Sequence, residues 1–275
     1  MSIITLTSDF GSIDHRVASI KGCISSLQIG IPMIDITHDI EPHNLHQTAY
    51  ILKNAYHHFP LGSIHIVAVD SQYHKERKFL VCKTQGHTFI MPDNGLLGLI
   101  FQGIKPEKVY EITLNNRFDD VVNFTAVELF APVAVHLYKG GIPEIIGREI
   151  TDIKEYIFTN PIFKEAEKML IGEIIYIDHF GNVVSNIKKD TFDKYFSAFE
   201  RFTIKIRGYK LNKIVNKITD IIPKWEDEME YQGKAAALFN ESDLLEIAIY
   251  RANKKNGASC LMGLNIGCKI YIEFS

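Results

Sequence analysis

The feature that most constrains the fold is a short apolar strand followed at once by an acidic loop that contains glycine. The strand is predicted at residues 3–6, and the loop at residues 7–14 reads Thr-Ser-Asp-Phe-Gly-Ser-Ile-Asp. A helix is predicted to begin near Arg16. Open α/β sheets bind ligands outside the carboxyl ends of their strands. The sequence therefore predicts an α/β sheet with Asp9 at its ligand-binding edge.

Strand-like and helix-like segments alternate through the first part of the chain. The strand-like segments are rich in branched aliphatic residues and bounded by Gly, Pro or Asp: residues 3–6, 33–36, 63–69, 78–82, 88–91 and 108–112. Between the second and third, apolar residues recur every three or four positions, which indicates an amphipathic helix: Leu45, Ala49, Leu52, Tyr56 and Phe59. This alternation predicts crossover units and a largely parallel sheet.

A further helix is predicted from about Glu128 to Tyr138. It contains Pro132, which lacks an N–H and whose ring clashes with the preceding turn of a helix. Pro132 must therefore fall in the first turn of that helix.

The sequence pattern changes around residues 151–168, which are polar and show no sustained hydrophobic periodicity. The β-like segments beyond this point are not separated by convincing helices: residues 173–178, 181–186, 202–206, 235–239, 244–250 and 269–274. They predict an antiparallel barrel or sandwich. We therefore expect an α/β domain at 1–158, a linker at 159–170 and a β-domain at 171–275. The acidic segment at 225–230 is predicted to be a solvated loop.

Composition excludes several classes of protein. The formal net charge is −3, so no basic footprint points to nucleic acid. No apolar run approaches the roughly 20 residues of a membrane span, and the first residues lack the pattern of a signal peptide. The four cysteines have no CxxC spacing, which disfavours a zinc site and a disulfide framework. A cytoplasmic protein with no nucleic-acid or membrane partner is expected.

Histidines give little indication of a metal site. His43 and His46 are predicted to lie on the amphipathic helix, facing solvent without a carboxylate partner. The common nucleotide-binding, metalloprotease and nucleophile-elbow motifs do not occur in the sequence. No metal is expected.

What remains is a series of short motifs, each at a predicted strand end. In chain order they are Ser8-Asp9-Phe10-Gly11-Ser12-Ile13-Asp14, Ile34-Asp35-Ile36-Thr37-His38-Asp39-Ile40-Glu41-Pro42, Val69-Asp70, Pro92-Asp93-Asn94-Gly95-Leu96-Leu97, Phe130-Ala131-Pro132 and Asp178-His179-Phe180-Gly181-Asn182. Together they resemble the S-adenosyl-L-methionine hydroxide adenosyltransferase family, relatives of the adenosyl fluorinase and chlorinase. The resemblance covers nearly the whole chain, from Thr5 to the last strands.

The resemblance implies a mostly parallel α/β/α sandwich domain joined to an antiparallel β-barrel. It also implies a homotrimer whose ligand sites lie between one subunit's first domain and its neighbour's barrel. The implied reaction is attack of water or hydroxide on the ribose C5′ of S-adenosylmethionine, which gives adenosine and L-methionine without a cofactor.

Several residues match substrate-binding positions of that family. A carboxylate can accept two hydrogen bonds from a ribose diol, and Asp9 matches the family's ribose-binding aspartate, although a turn or helix cap is its alternative role. Asp14 matches the second acidic position of the loop, or else caps the following helix. Phe180 and Asn182 match the adenine-contacting pair, or else form a plain β-turn. The remaining substrate-binding matches are Asn94, Asp178, Asn240 and Glu246.

Asp70 and Arg77 match the family residues that are thought to manage the attacking water, at the same spacing of seven. Because the leaving group is a sulfonium, the reaction needs a desolvated and oriented nucleophile more than it needs an acid. The alternative for this pair is a simple surface ion pair.

Two positions depart from the family pattern. Thr125 stands where the family has a histidine, and Val127 where it has an arginine; the glycine-rich loop after Asp70 is also replaced, by residues 71–76. Loss of a general base typically costs about 10²–10⁴-fold in rate, although His74 could substitute if the altered loop folds inward.

An adenosylmethionine hydrolase is the leading hypothesis, and a non-catalytic adenosyl-binding protein is the alternative. A halide-dependent transferase ranks lower, because the Thr125 region lacks the Tyr-Ser pattern of a fluorinase.

Overall fold

The computed structural model describes residues 2–113, 122–156 and 159–275. The chain divides into two units, Met1–Ile157 and Phe158–Ser275, each with its own apolar core. The predicted boundary at residue 158 lies outside the described residues. Part of the predicted linker, Ile162–Lys164, is a strand of the second unit.

A seven-stranded sheet forms the centre of the first unit. Its strands are β1 (Ile4–Ser8), β2 (Met33–Thr37), β3 (Ile64–Ala68), β4 (Phe79–Thr84), β5 (His87–Pro92), β6 (Lys108–Ile112) and β7 (Gly147–Glu149). The order across the sheet is β2-β1-β3-β5-β4-β6-β7. The first four in this order are parallel, and each later pairing is antiparallel. The predicted fold class is therefore confirmed, with an antiparallel extension of the parallel half.

Helices cover this sheet. They are α1 (Arg16–Leu27), α2 (Leu45–Ala55), α3 (Leu96–Phe101), α4 (Ala131–Tyr138) and α5 (Pro143–Ile146). α1 packs on α4, and α2 packs on α3. Every residue of β1 and β3 is buried, as expected of parallel strands covered on both faces.

Pro132 lies in the first turn of α4, as predicted. A π-helical turn, Ala126–Phe130, leads into this helix, and the N–H of Ala131 bonds to the carbonyl oxygen of Ala126 five residues earlier. Pro132 has no N–H and cannot donate the regular helical hydrogen bond to the carbonyl four residues earlier. The wider π-helical turn lets the chain enter α4 without that bond.

The second unit is built on a nine-stranded, barrel-like sheet. Its strands are β8 (Ile162–Lys164), β9 (Met169–Ile177), β10 (Val183–Lys188), β11 (Phe202–Ile206), β12 (Tyr209–Leu211), β13 (Ile214–Val215), β14 (Ala235–Phe239), β15 (Leu244–Ile249) and β16 (Lys269–Phe274). The main path is β12-β11-β16-β9-β10-β15-β14-β13, with β8 beside β9. The pairings are antiparallel apart from the parallel pair of β13 and β14. The predicted antiparallel β-domain is confirmed.

Two short helices in this unit, α6 (Lys189–Phe196) and α7 (Ala258–Leu261), were not expected. α6 buries Phe192 among the aromatic rings of the core while its polar residues face outward, so its apolar stripe is too short to be recognised in the sequence. The acidic segment is also more ordered than a loop. It forms a 3₁₀ helix, Trp225–Tyr231, in which Glu228 pairs with Arg251. Among the described residues, no helix is long and apolar enough to cross a membrane.

His65 is a buried histidine in β3 that the core holds neutral. Its Nδ1 lies 2.7 Å from the hydroxyl of Thr5, its Nε2 lies 3.1 Å from Nδ1 of His87, and its ring stacks on Phe89. Burial, with a smaller contribution from the nearby His87, lowers the pKa of His65 from its usual 6.5 to about 3.

We expect this histidine to make stability depend on pH. Below pH 6.5 the unfolded chain protonates His65 while the folded protein does so only near pH 3, so stability falls as pH falls through this window. Each pH unit is worth about 1.4 kcal/mol for one such group. Urea unfolding at pH 7 and pH 5 is expected to show a loss roughly 2 kcal/mol larger in the wild type than in His65→Gln. Equal losses in the two proteins would contradict the assignment.

Candidate functional site

Asp9 and Asp70 follow neighbouring parallel strands, and their loops meet at one edge of the sheet. β1 pairs with β3 so that Ser8 lies opposite Ala68. The side chain of Asp9 is only 7% exposed. Its Oδ2 accepts two backbone hydrogen bonds, from the N–H of His43 at 3.0 Å and from the N–H of Asp70 at 3.1 Å. Oδ2 of Asp9 thus connects the loops that follow β1, β2 and β3 through hydrogen bonds.

Both residues held by Asp9 have left-handed backbone conformations. The φ angles are +63° at His43 and +47° at Asp70, a region that non-glycine residues seldom occupy. His43 is the third residue of a turn that begins at Glu41, has Pro42 second and is closed by a 2.9 Å bond from the Asn44 N–H to the Glu41 carbonyl. Glycine or asparagine is favoured at such a position. Strain of this kind persists where the surroundings enforce it, and it clusters at functional sites.

The carboxylate of Asp70 has a cationic partner and an imidazole partner. Nη2 of Arg77 donates to Oδ2, and Nδ1 of His43 lies 3.2 Å from Oδ1. Arg77 is also anchored by the carbonyl of Gln72, at 3.2 Å from its Nη1. The predicted pairing of Asp70 with Arg77 is therefore present, and the side chains are only 28% and 20% exposed. Their role in a reaction stays a prediction.

A pocket of about 460 Å³ opens beside this pair. Its walls are formed by Leu45, Asp70, His74, Glu76, Arg77, Lys78, Asp93, Asn94 and Lys154. Asn94 joins two of these elements, because its amide donates to the carbonyl of Val69 and its Oδ1 accepts from the N–H of Leu96. Burial raises the pKa of Asp93, and a bond from the Lys154 backbone N–H opposes this rise. The pocket is polar, with acidic and basic side chains in its walls.

The loop at residues 71–76 places His74 on the wall of this pocket. The N–H of Glu76 donates to Nδ1 of His74 at 3.2 Å. Because a backbone N–H can only donate, Nδ1 must be unprotonated, and the neutral ring carries its proton on Nε2. In this arrangement His74 offers the pocket a donor rather than an acceptor.

Asp14 stands apart from this cluster. Its side chain is 44% exposed and pairs with Arg16, through the backbone N–H at 3.3 Å and through Nη1 at 2.6 Å. The N-cap residue of α1 is His15, so Asp14 precedes the cap and is not itself the capping residue. Whether it also binds a ligand stays a prediction.

The expectation that His43 lies on the helix without a carboxylate partner was wrong, whereas His46 lies on the helix and is exposed, as expected. α2 begins at Leu45, so His43 precedes the helix and contacts the carboxylates of Asp9 and Asp70. His46, on α2, bonds through Nε2 to the hydroxyl of Tyr156 at 2.6 Å. The signal that was missed is the sequence Glu-Pro-His-Asn, a turn with a helix cap at its end. Asn44 does cap α2, through its side-chain oxygen.

Thr125 and Val127 do not line this pocket. Thr125 is 3% exposed at the start of the π-helical turn, and Val127 packs against the core of the first unit. Neither side chain can exchange a proton near neutral pH. Among the described residues, no group of three or more His, Cys, Asp and Glu side chains is arranged to hold a metal ion.

In the second unit, Asp178 organises the turn between β9 and β10. Its Oδ1 accepts from the N–H groups of Phe180 and Asn182, both at 2.8 Å, and its Oδ2 accepts from the Asn182 amide at 2.9 Å. Gly181 in this turn has φ of +80°, and an added Cβ would lie 3.1 Å from Cα of Gly257. The result is a rigid turn that leaves the Phe180 ring 59% exposed.

The other predicted residues of this unit lie beside that turn. The amide of Asn240 donates to Glu246 at 3.2 Å, and Oδ1 of Asn182 accepts from the N–H of Ile249. Burial raises the pKa of Glu246 to about 7; the charge of Asp178 adds to the rise, while hydrogen bonds from Asn240 and Asn182 oppose it. An exposed aromatic face beside amide and carboxyl groups can stack a planar base and bond to its edge.

Comparison with known proteins identifies the family to which these features belong. Residues 4–147 match the model of the SAM hydroxide adenosyltransferase N-terminal domain, and residues 172–271 match that of the C-terminal domain. A protein of Methanocaldococcus jannaschii named (R)-S-adenosyl-L-methionine hydrolase is 29% identical over 92% of this chain and 90% of its own length. A protein of Actinopolyspora mzabensis named fluorinase is 28% identical over 70% of this chain and 73% of its own length.

A solved structure shares the fold. The crystal structure of an uncharacterized conserved protein from Thermotoga maritima superposes with a TM-score of 0.82 at 26% identity, over 98% of this chain and 100% of that chain.

The two bonds accepted by Asp9 lead to a prediction about stability. Asp9→Ala removes the acceptor of the N–H groups of His43 and Asp70, and a hydrogen bond to a charged group contributes about 1.5–3 kcal/mol. We expect Asp9→Ala to lower the free energy of unfolding by at least about 2 kcal/mol, measured by chemical denaturation. The matched control is Asp14→Ala, which removes an exposed ion pair worth about 0–1 kcal/mol. A comparable loss in the two variants would refute the role of Asp9 as a clamp.

Proposed function

Because this chain belongs to the SAM hydroxide adenosyltransferase family, we propose that it is an S-adenosyl-L-methionine hydrolase. Water attacks C5′ of the ribose, the bond from C5′ to sulfur breaks, and adenosine and L-methionine are released. The observation that carries the proposal is the match to a relative named (R)-S-adenosyl-L-methionine hydrolase over 92% of this chain and 90% of that protein.

The geometry of the first unit suits this reaction. The sulfonium is already a good leaving group, so the protein must chiefly hold a water molecule in line with the bond that breaks. Asp70, fixed by Arg77 and by Asp9, offers carboxylate oxygens at the edge of a polar pocket. Asp70 and Arg77 are accordingly proposed as the catalytic residues that orient this water.

We assign substrate binding to two groups of residues. In the first unit, Oδ1 of Asp9 is bonded to no described residue, which leaves it to accept from the ribose diol, and Asp14 and Asn94 complete the group. In the second unit, Phe180 stacks on the adenine while Asn182 bonds to its edge. Asp178, Asn240 and Glu246 support or extend that contact.

The proposal includes the assembly and the setting of the enzyme. By analogy with the family we propose a homotrimer with sites at subunit interfaces, which sedimentation equilibrium can test. The substrate brings its own leaving group, so no cofactor is proposed. The four cysteines are free, and the cytoplasm is the proposed compartment.

A non-catalytic adenosyl-binding protein is the second candidate. Thr125 and Val127 favour it, since they stand where the family has a histidine and an arginine. This candidate predicts binding of the same ligand by calorimetry with no product.

Turnover separates the two candidates. Purified protein is incubated with the (R) and (S) sulfonium epimers of S-adenosylmethionine, and adenosine is followed by chromatography. We expect adenosine to form preferentially from the (R) epimer, and Asp70→Ala to lower the rate by about 10²-fold because the water loses its orientation. Asp190→Asn, an exposed carboxylate on α6, is the matched control.

Binding without adenosine from either epimer would exclude the hydrolase and support the second candidate. Product that depends on added chloride or fluoride would instead indicate a halide transferase.

A further inference from the structure

Hydrolysis of a sulfonium by water releases a proton, and this inference about its acceptor rests on the proposed function. Cationic substrate and water give neutral adenosine, methionine with an uncharged thioether, and one proton. The acceptor must lie beside the water that attacks, and imidazole is the side chain best suited to accept a proton near neutral pH. Near Asp70 the described residues include two imidazoles, those of His43 and His74.

The hydrogen bonds distinguish these two rings. Asp70 is an ion-paired carboxylate and accepts hydrogen bonds, so the proton of neutral His43 lies on Nδ1, which is 3.2 Å from Oδ1 of Asp70. Nε2 of His43 is then an acceptor, and no group in the described part of the chain bonds to it. His74 has the opposite tautomer, because its Nδ1 already accepts from the N–H of Glu76. His43 can receive a proton in this arrangement, whereas His74 cannot.

The backbone holds His43 in this place at some cost. Its φ of +63° is costly for a residue with a Cβ. The turn closed by Asn44 and the bond from the His43 N–H to Asp9 keep it there. The side chain is 57% exposed, so the ring is accessible to an incoming ligand. A strained, anchored and accessible imidazole is the arrangement expected of a group that acts on a substrate.

We propose that His43 is the general base of the reaction and that Asp70 orients it. As the water oxygen bonds to C5′, Nε2 of His43 takes one water proton, and the C5′–S bond breaks with its electron pair going to sulfur. Adenosine and methionine leave, and the imidazolium returns the proton to solvent. The charged groups that face His43 are Asp9, whose Oδ2 is 4.0 Å from Nδ1, and Asp70 with its partner Arg77. The two carboxylates stabilise the imidazolium as it forms.

The first test removes the imidazole of His43 and keeps the backbone conformation at this position. His43→Asn retains a residue that tolerates left-handed φ and can donate to Asp70, but it cannot accept a proton. We expect kcat to fall about 10²–10⁴-fold, with a much smaller change in KM and loss of the acidic inflection in the pH profile of kcat. The matched control is His58→Asn, which changes an exposed histidine outside the site.

The second test is chemical rescue. His43→Gly relieves the backbone strain and leaves room beside Asp70, so added imidazole is expected to restore part of the rate in proportion to its unprotonated form. A residue that only supports the structure would give no such rescue. Thermal unfolding of each variant checks that the fold is kept.

The outcomes separate this inference from the function on which it rests. Wild-type protein that makes no adenosine overturns both. Wild-type turnover with an unchanged rate and pH profile in His43→Asn, or loss of the inflection in His74→Asn instead, overturns the role of His43 alone. Loss of the inflection in His43→Asn together with imidazole rescue supports it.

Discussion

The candidate site of the first unit depends on one carboxylate oxygen, Oδ2 of Asp9, which accepts the N–H groups of both His43 and Asp70. These two residues come from separate loops, and each has a left-handed backbone conformation that is costly without glycine. The two bonds hold them there, and their side chains thereby meet at 3.2 Å. The contact between Asp70 and Arg77 builds on the same anchor, because the conformation of Asp70 directs its carboxylate.

The parts of this arrangement that could be predicted from the sequence are those that strand order or short spacing determines. Asp9 and Asp70 both follow apolar strands, and parallel neighbours bring their carboxyl ends to one edge. Arg77 is seven residues from Asp70, so a single loop places them together. The turn from Asp178 to Asn182 is local in the same way, since one carboxylate accepts three hydrogen bonds within five residues.

What the sequence did not predict depends on backbone conformation and on distant packing. The turn through Pro42 keeps His43 outside α2, which begins at Leu45, and directs its side chain to carboxylates. The tautomer of His74 depends on a hydrogen bond from the N–H of Glu76 in its own loop, and such a bond cannot be predicted from residue spacing. The antiparallel half of the first sheet was missed for a related reason, because the apolar pattern of a buried strand does not record its direction.

The loss of positive charge on the sulfonium during the reaction explains why the carboxylates of Asp9 and Asp70 have so many hydrogen-bond and ion-pair partners. In the proposed reaction the positive charge on sulfur is smaller in the transition state than in the substrate, so an unshielded carboxylate beside it would stabilise the substrate more than the transition state and slow the step. One oxygen of Asp9 accepts hydrogen bonds from two backbone N–H groups, and Asp70 is paired with Arg77. With their charge compensated in this way, the carboxylates can orient a diol, a water molecule and an imidazole without holding the cation too strongly. His43 is then the group that gains charge during the reaction, and its direct contact with Oδ1 of Asp70, at 3.2 Å, stabilises that charge.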